Sequence, residues 1–142
     1  MDGYAARELV SGLGFIEGPL FLPSGELMFT DIGAGRINIA TLDTGQVRYF
    51  ADTKGSPNGV AVGPDGNYYV CNNGGLTCRR SEQGHLVPIA GTHGDQPIQA
   101  CIQRVSQHGH VETLYEECEG RPLVAPNDLW SGPIKSLALM SC

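Results

Sequence analysis

Three oxygen-bearing side chains stand at matching places along this sequence. Glu17 lies in Gly14-Phe15-Ile16-Glu17-Gly18-Pro19, Asn58 in Ser56-Pro57-Asn58-Gly59-Val60, and Asn127 in Pro126-Asn127-Asp128-Leu129. A carboxylate in an otherwise apolar segment, as at Glu17, is costly to bury unless a cation or a donor compensates it. Hard oxygen donors converging on one point suit Ca²⁺, which takes about six to eight oxygens from carboxylates, amide carbonyls and water. Each residue alone also has a plainer explanation. Glu17 can be a surface carboxylate before a turn, and Pro-Asn-Gly and Pro-Asn-Asp are ordinary turn sequences. What favours a site is that all three occur in phase with an internal repeat.

The repeat is visible in the turns. Leu20-Phe21-Leu22-Pro23-Ser24-Gly25-Glu26-Leu27-Met28-Phe29-Thr30-Asp31 is matched by Ala61-Val62-Gly63-Pro64-Asp65-Gly66-Asn67-Tyr68-Tyr69-Val70-Cys71-Asn72, with Pro23 and Pro64 separated by 41 residues. Proline pre-sets the first corner of a turn and glycine tolerates the positive φ that follows, so each Pro-x-Gly joins two apolar strands into a hairpin. A second hairpin follows in each unit. The first is Arg36–Ala40 and Gln46–Phe50 across Thr44-Gly45; the other is Cys101–Val105 and His110–Tyr115 across His108-Gly109. Four strands per unit at a period near 40 residues indicate β-propeller blades, small twisted sheets that stack around an axis because none buries both faces alone. Two unrelated hairpins in a sandwich are the alternative, and the matched Pro-x-Gly offsets argue against it. Glu17, Asn58 and Asn127 each open the innermost strand of a unit.

The expected fold class is therefore all-β, with about two complete blades, the start of a third near Asn127, and a ring that does not close. The chain divides into residues 1–129, which carry the blades, and a divergent tail, 130–142. In that tail Leu137 to Met140 are good helix formers, and a short terminal helix is expected there. The stretch Gly74 to Ala100, rich in Gly, His, Gln and Thr, is expected to be an exposed loop. Without a third blade over it, the second unit is expected to expose Val60, Val62, Tyr69 and Ile102.

Composition narrows the partners. Twenty glycines and nine prolines fit a turn-rich β structure, and 41% hydrophobic residues suffice for a core. The net charge is −6, with nine scattered basic residues and no Lys/Arg cluster to neutralise phosphates, so a nucleic acid partner is not expected. No apolar run approaches the roughly 18 residues of a membrane helix, and the N-terminus does not resemble a secretory signal, so no membrane partner is expected either. Five cysteines without CxxC spacing are expected to be reduced thiols in the cytoplasm.

From about residue 10 to 129 the chain resembles the senescence marker protein (regucalcin)/gluconolactonase/luciferin-regenerating-enzyme family. The resemblance is carried by Ile16-Glu17-Gly18-Pro19, Gly25-Glu26-Leu27-Met28-Phe29-Thr30-Asp31-Ile32, Ser56-Pro57-Asn58-Gly59, Asn72-Asn73-Gly74-Gly75, Ile102-Gln103-Arg104-Val105 and Pro126-Asn127-Asp128-Leu129. The run from Val111 to Tyr115 and on to Gly120-Arg121-Pro122-Leu123 is similar to bacterial gluconolactonases. The resemblance implies a six-bladed propeller that hydrolyses sugar lactones. It also implies a tunnel ion, Ca²⁺ or another divalent metal such as Zn²⁺ or Mg²⁺.

Residue by residue, Glu17 matches the metal-binding Glu of the first blade. Asn127 matches an Asn that binds the metal or contacts substrate. Asn58 matches a tunnel-facing position and, with Asn127 and Asp128, is a candidate substrate contact. Val124-Ala125 stand where relatives often carry an Arg. The resemblance places a later Asn ligand and the Asp that acts as general base in blades beyond these units, so no catalytic residue is assigned here. Two expectations follow: a metal-dependent lactonase, or a catalytically inactive propeller fragment with at most a binding role or self-association through unpaired blade edges. If the metal expectation holds, Glu17 and Asn127 should approach one another on the inner side of stacked blades.

Overall fold

The computed structural model describes residues 5–89, 97–131 and 137–140. Among them there are strands and turns but no helix. The first unit forms β1 (Ile16–Phe21), β2 (Leu27–Asp31), β3 (Arg36–Ala40) and β4 (Val47–Asp52), an antiparallel sheet in the order β1-β2-β3-β4. The second unit begins with β5 (Pro57–Val62) and β6 (Tyr68–Asn72). A separate hairpin of β7 (Thr77–Arg80) and β8 (Leu86–Ile89) follows. The unit then resumes with β9 (Cys101–Val105) and β10 (Val111–Tyr115), giving the order β10-β9-β6-β5. The short pair β11 (Glu117–Cys118) and β12 (Arg121–Pro122) leads to a last hairpin of β13 (Asp128–Ser131) and β14 (Leu137–Met140). No sheet closes on itself among the described residues.

The Pro-x-Gly turns work as their residues require. Gly25 and Gly66 take φ of 82° and 76°, and each donates its N–H back across the turn, Gly25 to the Leu22 carbonyl at 2.9 Å and Gly66 to the Gly63 carbonyl at 3.0 Å. Strand alternation then sorts the side chains. Met28, Ile37, Ile39 and Ala51 of the first sheet meet Val60, Val70 and Val105 of the second in one buried cluster. Phe50 and Tyr68 close its outer end edge to face, with ring centroids 5.6 Å apart. A smaller cluster on the far side of the second sheet joins Cys71 and Ile102 to Leu129 of β13.

The structure corrects three expectations. Residues 74–100 are not simply a loop, because β7 and β8 pair there in register from Thr77↔Ile89 to Arg80↔Leu86; residues 90–96 lie outside the described part. The expected helix at Leu137–Met140 is a strand, paired with β13 from Asp128↔Met140 to Ser131↔Leu137. Helix propensity is worth only tenths of a kcal/mol per residue, and an open strand edge at β13 outweighs it. Finally, Val60 and Ile102 are not exposed: they retain 7% and 5% of their accessible surface. They point to opposite faces of their sheet, Val60 into the contact with the first sheet and Ile102 under Leu129. Val62 and Tyr69 are half-buried.

The four described cysteines, Cys71, Cys78, Cys101 and Cys118, are free thiols. Burial pushes the Cys71 thiol up to about 12 and the Cys101 thiol up to about 11. The thiolate is the nucleophile, so at pH 8 both should resist iodoacetamide in the folded chain while the exposed Cys118 reacts. Peptide mapping after brief labelling is expected to find modified Cys118 first, and Cys71 and Cys101 only after urea unfolding. Fast labelling of Cys71 in the native chain would contradict this packing.

Candidate functional site

Two of the candidate residues, Glu17 and Asn58, sit beside a similar distortion of their strands. In β1 the register passes from Glu17↔Thr30 to Leu20↔Met28, which inserts one extra residue; in β5 it passes from Pro57↔Asn72 to Val60↔Val70, again with one extra. The unpaired residues are thus Gly18-Pro19 in β1, directly after Glu17, and Asn58-Gly59 in β5, near the starts of the two inner strands. A bulge bends a strand and re-aims its side chains, which is why bulges gather beside active sites. Nothing in the apolar/polar pattern marks these bulges. The glycine after each oxygen-bearing residue was the available signal.

Those glycines also let successive inner strands approach. A Cβ at Gly18, whose φ is 52°, would lie 2.6 Å from the Asn58 carbonyl oxygen and 3.0 Å from the Val60 nitrogen. A Cβ at Gly59 would collide with the Asp128 side chain and come within 3.0 Å of the Asn127 carbonyl oxygen. The inner strands β1, β5 and β13 therefore lie side by side, with Gly59 donating its N–H to the Asn127 carbonyl at 2.9 Å.

This contact unites two of the candidate residues across 69 positions of sequence: Asn58 Nδ2 donates to Asn127 Oδ1 at 2.6 Å. The Asn58 backbone is held from the other side, where its carbonyl accepts the Thr30 hydroxyl at 2.7 Å. Asp128 turns one carboxylate oxygen to its own strand, accepting the Leu129 N–H at 2.8 Å. No hydrogen bond joins the Glu17 carboxylate to this pair. The residue is exposed, its carboxylate has no hydrogen-bond or ion-pair partner among the described residues, and it lines a hollow of about 450 Å³ together with Ile16, Pro19 and Phe29. Asn58 and Asn127 are thus brought together by a hydrogen bond, while the Glu17 side of β1 meets Asn58 only through the close approach of Gly18 to the Asn58 backbone. No group of three or more His, Cys, Asp or Glu side chains capable of holding a metal occurs among the described residues.

The residues that position this site were not singled out by sequence reasoning. Asn72, fully buried, accepts the Ser56 N–H at 2.9 Å and the Gly74 N–H at 3.1 Å on Oδ1. Its Nδ2 donates to the Lys54 carbonyl at 2.9 Å, the Thr53 carbonyl at 3.3 Å and Gln103 Oε1 at 3.1 Å. The clue lay in the repeat: Asp31 and Asn72 end equivalent strands, and Gly14 and Gly55 precede equivalent ones. A Cβ at either glycine would lie 2.5 Å from the facing Oδ1, of Asp31 and of Asn72 respectively.

A profile of the SMP-30/Gluconolactonase/LRE-like region matches residues 15–134. The chain belongs to this family. Among solved structures it is similar to a chain described as a candidate gluconolactonase, with a TM-score of 0.67 and 22% identity over 94% of this chain and 38% of that one. It is likewise similar to a gluconolactonase of Xanthomonas campestris, with a TM-score of 0.60 and 23% identity over 85% of this chain and 33% of the other. No curated protein sequence is detectably similar. The chain thus spans little more than a third of the SMP-30/gluconolactonase-like structures it matches. The likeness is one of all-β fold.

Proposed function

We propose that this chain supplies one side of the tunnel site of a divalent-metal-dependent sugar lactone hydrolase. The supporting observation is the Asn58–Asn127 hydrogen bond at 2.6 Å, made where the start of β13 meets the bulge of β5. Glu17 and Asn127 are the proposed metal residues; Asn58, Asn127 and Asp128 are the proposed substrate contacts. The donor chemistry fits a hard cation. It consists of carboxylate and amide oxygens without imidazole or thiolate, which favours Ca²⁺ or Mg²⁺ over Zn²⁺. A bound cation would act as a Lewis acid on a lactone carbonyl.

The protein's own contribution is orientation. By donating to Asn127 Oδ1, Asn58 holds that amide in one rotamer and leaves the second lone pair of the oxygen open for a ligand. The Asn58 carbonyl oxygen of the side chain is free to accept a sugar hydroxyl, as is the Asp128 oxygen that does not cap Leu129. No general base is assigned within this chain, so cation binding is the deciding measurement. Glu17→Gln keeps size and removes charge, and is expected to weaken Ca²⁺ binding by on the order of tenfold or more in isothermal titration. Wild-type affinity in this variant would remove Glu17 from the site. Hydrolysis of glucono-1,5-lactone with and without Ca²⁺ tests the chemistry. The free thiols suit a cytoplasmic setting.

A second reading, self-association of a catalytically inactive chain, is favoured by two hollows on opposite sides of the stacked sheets. One is the hollow of about 450 Å³ beside Glu17; the other, of about 630 Å³, is lined by Tyr69, Ile102, Leu114, Tyr115 and Leu123. Tyr115 is 62% exposed there. Open apolar faces and bare strand edges favour association. Light scattering at micromolar concentration is expected to give a mass above that of one chain, reduced by Tyr115→Glu. A monodisperse monomer would reject this reading.

A further inference from the structure

We infer that Asn72 is a positioning residue for the Asn58–Asn127 pair, an inference that rests on the site proposed above. The segment Thr53–Ser56 leads into β5 and delivers Asn58 two residues later. It is bent into an unusual path: Lys54 and Gly55 both take left-handed φ, 58° and 53°. Lys54 has a Cβ and is disfavoured in that region, so neighbouring contacts must hold it there.

The buried Asn72 amide is one such contact, beside the Asp52 carboxylate that accepts the Lys54 N–H at 3.2 Å, and it needs both of its ends. Its oxygen takes the Ser56 and Gly74 N–H groups, while its nitrogen reaches the carbonyls of Lys54 and Thr53 and the side-chain oxygen of Gln103. Gln103 Nε2 donates to the same Thr53 carbonyl at 2.9 Å, and the Ser56 hydroxyl accepts the Leu76 N–H at 2.6 Å. The equivalent position of the first unit shows the contrast. Asp31 has acceptors only, and its partners are donors: the Ala34 N–H at 3.1 Å and the Arg36 guanidinium at 3.9 Å. A carboxylate at position 72 would instead face three acceptor oxygens. The segment would be pushed away from β6, and Asn58, fixed at its carbonyl by Thr30, would swing its side chain off Asn127.

Asn72→Asp in the full chain tests this, with Asn67→Asp in the β5–β6 turn as the same chemical change away from the path. The readouts are the ¹H–¹⁵N signals of the Asn58 side-chain amide and the affinity for Ca²⁺ alone. In folded Asn72→Asp the Asn58 signals are expected to move to the positions of a solvent-exposed amide, with Ca²⁺ affinity falling about 10–100-fold, as for loss of a residue that orients a ligand. Asn67→Asp should leave both unchanged. Unmoved Asn58 signals in folded Asn72→Asp would overturn the inference. If that variant does not fold, Gln103→Met decides, since it removes one partner of Asn72 and frees the Thr53 carbonyl. A shift at Asn58 supports the inference, and its absence overturns it. A wild-type chain that binds no Ca²⁺ would refute the metal site, while the Asn58 signals would still judge Asn72.

Discussion

Replacing Gly18 by alanine is expected to destabilise the chain by about 2–5 kcal/mol, combining left-handed strain with overpacking. Gly18 takes φ of 52°, and its added methyl would press on the Asn58 carbonyl and the Val60 nitrogen. Gly25→Ala separates the two contributions. Gly25 has φ of 82° but open space around it, so it should carry only the conformational share, about 1–2 kcal/mol. Urea unfolding of the two variants beside wild type measures the difference. Because the backbone pushed aside belongs to Asn58, Gly18→Ala should also disturb the Asn58–Asn127 bond, whereas Gly25→Ala should not. Equal losses of stability in the two variants would show that β1 and β5 do not approach as described.

The second large effect is expected at Met28. Its side chain is fully buried between the two four-stranded sheets, beside Ile37, Ile39, Val60 and Val70. Met28→Ala should cost about 2–5 kcal/mol, the lost transfer free energy plus the cavity left behind. That is a large share of the roughly 5–15 kcal/mol that stabilises a typical domain. Phe21, on the neighbouring strand but 71% exposed, supplies the control; its replacement by alanine should change stability by about 0.5 kcal/mol or less. A small loss at Met28 would mean that the two sheets are not packed into one core.

These expectations concern contacts of different sequence range, and that difference separates what could be read in advance from what could not. The hairpins were legible because turn chemistry is local. Pro23-Ser24-Gly25 and Pro64-Asp65-Gly66 specify their corners without help from the rest of the chain, and the alternation beside them assigns the strands. All eight strands of the two units fall where that pattern puts them. The shared phase of Glu17, Asn58 and Asn127 was legible for the same reason, since a repeat places equivalent residues at equivalent points.

The tertiary structure decided what depends on a partner distant in sequence. Leu137–Met140 has the local preferences of a helix, but the open edge of β13 draws it into a strand. Val60 and Ile102 look alike in sequence; the face on which each lies sends one toward the first sheet and the other under Leu129. The bulges at Gly18-Pro19 and Asn58-Gly59 exist only relative to the strands they pair with, so no single-strand pattern contains them. The amide pair of Asn58 and Asn127, and the Asn72 contacts beneath it, arise because packed sheets bring together side chains whose own neighbours carry no trace of the encounter. Sequence alone determined a repeated all-β unit with one oxygen-bearing residue at the head of each inner strand. Which of those residues touch was settled by packing, because hydrogen bonds act over about 3 Å while the repeat sets positions only to within a strand.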